Sequence, residues 1–203
     1  MGISERKERE KQELKNRIVD VASQMFLETG FEKTSIRNIA EKIEYSPATI
    51  YLYYKDKNEL FYAVHEKGFA LLFEKMHPLT QIINPMERLR KMGEAYLAFG
   101  FENPEYYDLM FIMTAPIENL HAQNAEWDCG LRNFELLRHT IAECIEKGYI
   151  KSPNVDVVTM SVFSFVHGLV SLHIRNRFIM YPAEKLPELI KNSIDNMLDL
   201  LQH

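Results

Sequence analysis

The chain has 203 residues, 46% of them hydrophobic and 26% charged, with a net charge of −5. This is ordinary globular composition, and its longest apolar runs, such as 160–171, carry Ser and His and fall short of the ~20 residues that span a bilayer. The charged stretch 1–15 has no apolar leader, so a cytoplasmic protein without membrane contact is expected.

In chain order, Leu14, Ile18, Val21, Ala22, Met25 and Phe26 recur at helical intervals and predict an amphipathic helix that Gly30 ends. Thr34 is the expected N-cap of a short helix over 35–43, with Ile36, Ile39, Ala40 and Ile43 on one face. Ser46 caps and Pro47 opens a second short helix running to about Tyr53. Asp56 and Glu59 form a capping box for a longer helix through Leu60, Val64 and Leu71 towards Met76. Pro85 starts a helix to about Phe101, and Asn103-Pro104 starts another through Tyr107, Met110 and Phe111. Trp127, Leu131, Phe134, Leu137 and Ile141 share a face of a helix ending near Gly148. The segment 156–179 is apolar almost all round and predicts a helix buried on several sides. Leu186, Leu189, Ile190, Ile194, Met197, Leu198 and Leu201 stripe a terminal helix. About nine helices and no alternating run predict an all-α fold.

Charge is unevenly placed: residues 1–60 carry 11 basic and 11 acidic side chains, and residues 61–203 carry 13 and 18. A neutral head on an acidic body permits DNA binding only through local clustering. Two short helices braced by a third describe a helix-turn-helix, whose second helix must fit a major groove about 12 Å wide. Ile50 and Tyr54 are expected to face inward. Ala48, Thr49, Tyr51 and Tyr53 are expected outward, with Leu52 between the two surfaces.

The run Gly30-Phe31, then Thr34-Ser35-Ile36-Arg37-Asn38-Ile39-Ala40, then 46–60 (SPATIYLYYKDKNEL) resembles the signature of the tetracycline-repressor (TetR) family. The resemblance implies a DNA-binding head over 1–55 and a ligand-binding and dimerisation body over 56–203. It implies DNA contacts from Arg37, Ser46, Ala48, Thr49, Tyr51 and Tyr53, a phosphate contact from Lys57, and backbone anchoring by Thr34 and Ser35. At 43–45 the chain has Ile-Glu-Tyr where the family commonly has a Gly, which predicts a slightly wider turn. No Lys, Arg, Asn or Gln stands outward on the recognition helix, so specificity is expected from Arg37, from Thr49 on thymine methyls and from DNA shape.

Met and aromatic residues concentrate over 80–180, and Tyr96, Phe99, Tyr107, Met110, Phe111, Trp127, Phe134, Phe163 and His167 are the candidate contacts to a largely apolar effector. The segments 101–111 and 163–169 resemble a subgroup with Trp-x-x-x-His-Gly, Phe163 standing in the Trp position. The family likeness implies a homodimer through the last two helices. It also implies a repressor released from its double-stranded operator by a small molecule. Activation of transcription and an all-α enzyme are the alternatives; G-x-S-x-G, H-E-x-x-H and P-loop motifs are all missing. No cofactor, catalytic residue or metal site is expected, and His167 and His173, six apart, do not share a helix face. Cys129 and Cys144 are expected to be reduced packing thiols.

Overall fold

The computed structural model of the chain describes residues 2–113 and 128–202. Among these, nine α-helices appear: α1 Ile3–Thr29, α2 Ile36–Lys42, α3 Pro47–Tyr51, α4 Lys57–Met76, α5 Pro85–Glu102, α6 Pro104–Phe111, α7 Asp128–Glu146, α8 Val155–Ile174 and α9 Leu186–Gln202. No strand occurs among the described residues, so the chain is all-α as its periodicity predicts. It forms two compact units, one of residues 2–68 with 105–113 and the other of residues 69–104 with 128–202.

In the first unit α1 begins eleven residues before Leu14, the first apolar residue of its stripe. Charged helix formers sustain this extension through same-face pairs one turn apart: Arg6–Glu10 at 2.8 Å, Arg9–Glu13 at 3.5 Å and Gln12–Asn16 at 2.8 Å. The core gathers Ile18, Ala22 and Phe26 of α1, Ile36, Ile39, Ala40 and Ile43 of α2, and Ile50 and Tyr54 at α3. Leu60, Phe61 and Val64 of α4 and Leu109 of α6 complete it, so the head's core reaches beyond residue 55. Phe61 meets Phe26 edge-on at 5.2 Å and Phe31 at 4.4 Å.

In the second unit α5 packs on α7, α8 and α9, and α7 packs on α8. Arg88 of α5 is buried, forms an ion pair with Glu143 of α7, and donates to the Thr80 carbonyl at 3.3 Å. Two expectations change in α8. It is 20 residues long with mean hydropathy 1.7, long and apolar enough by length and composition to cross a bilayer, because Ser and His interrupt its apolar run only lightly. Nor is it buried on several sides. Val158, Thr159, Val162, Val166 and Val170 face inward, whereas Val157 and Met160 are 57% and 68% exposed.

Candidate nucleic-acid interface

The joint between α2 and α3 is tight. Glu44 occupies the left-handed region at φ 63°, where the family-like turn would favour Gly. The Glu44 N–H donates to Glu41 O at 3.1 Å and the Tyr45 N–H donates to Ala40 O at 3.0 Å. These two bonds are the Schellman pattern that closes a helix end, so the expected widening does not occur.

Helix α3 is shorter than its sequence suggests, ending at Tyr51 instead of Tyr53. Ser46 caps it, its oxygen accepting from the Thr49 N–H at 3.3 Å. Ile50 and Tyr54 are buried, and burial, with the Glu59 charge behind it, pushes the Tyr54 phenol up to about 12. Ser46 and Ala48 are exposed, Thr49 and Tyr53 half-buried, and Tyr51 is 54% exposed. Leu52 is 81% exposed, fully outward instead of intermediate between two surfaces. Leu52 and the exposed Tyr45 thus join the outer face, where apolar spacing does not point to them.

Ser35, not Thr34, caps α2, accepting from the Asn38 N–H at 3.2 Å. Thr34 is buried, its hydroxyl 2.9 Å from Gly30 O and 2.8 Å from the Thr29 hydroxyl. It ties the end of α1 to the start of α2. Arg37 is exposed. Lys57 is half-buried, with its ammonium 2.8 Å from Phe31 O, 3.1 Å from Thr34 O and 3.9 Å above the Phe31 ring. Two of its three N–H donors thus hold the loop that precedes α2, and one remains. Asp56 accepts from the Glu59 N–H at 2.9 Å, while Glu59 reaches back to the Lys55 N–H at 2.5 Å.

The candidate effector residues separate between the units. In the second, the Tyr96 hydroxyl lies 3.2 Å from His167 Nδ1, and Phe163 stands 6.2 Å from Tyr96, 6.4 Å from Phe134 and 5.5 Å from His167. Burial, with Arg175 adding to it, holds the His167 imidazole below its ordinary range, so the ring stays neutral near pH 7. A neutral ring with a bare Nδ1 can accept the Tyr96 proton. Phe99 is fully buried beside this group on α5. Tyr107, Met110 and Phe111 belong to the first unit, where Tyr107 and Met110 are buried and Tyr107 meets Phe111 at 5.1 Å. Trp127 lies outside the described residues, as does the side chain of Cys129. Cys144 is buried, and burial pushes its thiol up to about 11. Among the described residues, no three His, Cys, Asp or Glu side chains cluster as metal ligands.

Comparison with known proteins matches two family profiles. Residues 18–64 match the "Bacterial regulatory proteins, tetR family" and residues 89–199 the "Tetracyclin repressor-like, C-terminal domain". The chain is 24% identical over 166 residues to the HTH-type transcriptional regulator HbdR of Aromatoleum sp. (strain CIB), covering 80% of this chain and 71% of that protein. It is 23% identical over 175 residues to the HTH-type transcriptional regulator AcrR of Shigella flexneri, covering 83% and 80%. Among solved structures, a Rhodococcus sp. RHA1 protein of unknown function superposes with a TM-score of 0.78 at 20% identity, covering 94% and 96% of the two chains. The fatty acid degradation regulator FadR of Bacillus halodurans gives 0.67 at 16% identity, covering 92% and 93%. With a helix-turn-helix head, a helical body and a C-terminal profile that alone spans more than half its length, this chain belongs to the TetR family of helix-turn-helix transcriptional regulators.

Proposed function

We propose that the chain is an operator-binding repressor, released from double-stranded DNA by a small, largely apolar effector, and that it acts by binding and not by catalysis. The observation that carries this reading is the surface of α3: five residues of helix, locked by buried Ile50 and Tyr54, that leave Ala48, Tyr51 and Leu52 uncovered. A rod that short and that well braced suits a major groove. Arg37 and Ser35 supply polar contacts beside it, Ser46, Thr49 and Tyr53 flank it, and Lys57 has one donor left for a phosphate. The head then takes residues 1–55 with the first turns of α4 as its support, and the body takes the remainder.

Dimerisation follows from the uncovered face of α8, where Val157, Met160, Ser161, Ser164 and Leu172 are exposed, and from exposed Leu189 and Leu200 on α9. Two copies joined there present two recognition helices, as half-sites about 34–36 Å apart require. The effector reading rests on Tyr96, Phe134, Phe163 and His167, an aromatic cluster with one polar pair inside it. An effector that binds better to a state with the wrong head spacing lowers DNA affinity by linkage.

A gel shift with a duplex selected from a random pool tests the head. Tyr51→Ala and Arg37→Ala should each weaken binding about tenfold while the helical circular dichroism signal stays intact. Undiminished binding by both variants would remove the proposed interface. A transcription assay on that duplex fixes the sign of control, repression being the expected result.

A further inference from the structure

The first turns of α1 lie before the stretch that matches the family, which begins at residue 18. They nevertheless form one wall of an open groove of about 620 Å³, whose other wall is Tyr45 and Tyr53 at the two ends of the α3 segment. Lys7, Lys11 and Arg17 line it together with Leu14, Glu10 and Glu13. At 100° per residue these six positions occupy one continuous face of the helix.

That face carries Lys7, Lys11 and Arg17 against Glu10 and Glu13. Glu10 is engaged by Arg6 at 2.8 Å and Glu13 by Arg9 at 3.5 Å, both within α1. Among the described residues, no carboxylate pairs with Lys7, Lys11 or Arg17, and all three are exposed. A chain of net charge −5 thus places three cations without an ion-pair partner, beside Glu10 and Glu13, along one groove that ends at a tyrosine of the recognition segment. From Lys7 to Arg17 the helix rises about 15 Å, the length of about four base-pair steps. Two phenol hydroxyls on the opposite wall add donors suited to phosphate oxygens.

We propose that this groove is a second DNA-binding element, in which Lys7, Lys11 and Arg17 follow the phosphate backbone of the duplex beside the bases that α3 covers. It rests on the reading that α3 enters the major groove. A helical arm of this kind contributes affinity and salt dependence, and it adds no base discrimination, because phosphates carry no sequence.

The test is a salt titration of operator binding with the full chain and its Lys7→Ala/Lys11→Ala/Arg17→Ala variant. The logarithmic plot of affinity against salt should lose about 2 to 3 in slope per protomer, since each phosphate contact contributes about 0.9. Affinity at fixed low salt should fall at least tenfold, and the ratio between operator and scrambled duplex should not change. Trimming the flanking base pairs from the duplex should bring wild type and variant together. An unchanged slope in a folded variant, with Tyr51→Ala still weakening binding about tenfold, would overturn the arm alone. Equal binding by wild type, Tyr51→Ala and the triple variant would overturn the recognition helix and the arm with it. Capture of an acidic protein without any change in DNA affinity would also overturn it.

Discussion

Glu44 and Gly68 show what single positions cost. A non-glycine residue held at positive φ costs about 1 kcal/mol or more, and the two Schellman bonds around Glu44 keep it there. Glu44→Gly should therefore raise the stability of the protein by about 1 kcal/mol in a urea melt, with DNA binding retained. At Gly68 the reverse applies. A Cβ there would lie 2.7 Å from Met110 Sδ and 2.9 Å from Met110 Cγ, so Gly68→Ala should cost about 1–2 kcal/mol. Met110 is flexible enough to give way, which is why the cost stays at that level. Residue types at the head were legible because caps and turns leave fixed signatures in sequence. The internal hydrogen bonds of Thr34 and Lys57 were not, because spacing does not say where a hydroxyl or an ammonium turns. Thr34 reaches the Gly30 carbonyl, and two of the three Lys57 donors go to carbonyls of the chain itself.

Helix positions followed from apolar periodicity wherever one side of the helix is buried, as in α9 from Leu186, and from the proline start signal in α5 from Pro85. The beginning of α1 was invisible to that signal, since residues 4–13 bury nothing and are held by propensity and paired charges. Between elements, the ion pair of Arg88 on α5 with Glu143 on α7 is only 7% exposed on the arginine side. Arg88→Ala would leave the carboxylate with His139 at 3.3 Å and Lys147 at 3.9 Å and should cost about 2 kcal/mol by thermal or urea unfolding, the loss of a charge-assisted hydrogen bond and of the packing of the arginine stem. The α5–α8 contact at Tyr96 and His167 predicts a pH effect. The folded state keeps His167 neutral, whereas the unfolded chain takes up its proton near 6.5. Stability present above that pH should be lost as pH falls through the lowered folded value. The drop in urea midpoint between pH 7.5 and pH 5.5 should be smaller in His167→Gln than in wild type. No change in that difference would remove His167 as its source.

At the scale of the whole molecule, the all-α class and the head–body order were legible because helical period runs the length of the chain and the motif of 34–60 marks its N-terminal part. The outward side of α8 was not. A helix apolar on every side gives no sequence cue to which side meets α5 and α7 and which is left open. The open side carries the proposal of self-association. Light scattering at micromolar concentration should give the mass of two chains, and Met160→Glu with Leu172→Glu should give one while far-ultraviolet dichroism is unchanged. A wild-type chain of single mass would remove the dimer.

The uncovered surface at α3 and just after it carries hydrocarbon beside the Tyr51 ring: the Ala48 methyl and the exposed Leu52 side chain. On the proposed docking, such a surface responds to the one apolar group a base edge offers in the major groove, the carbon-5 substituent of a pyrimidine. Uracil in place of thymine at those positions should weaken the complex, and 5-methylcytosine in place of cytosine should recover part of the loss at a C·G pair. The occupancy of such a site would then depend on the epigenetic marking of the duplex as well as on its letters.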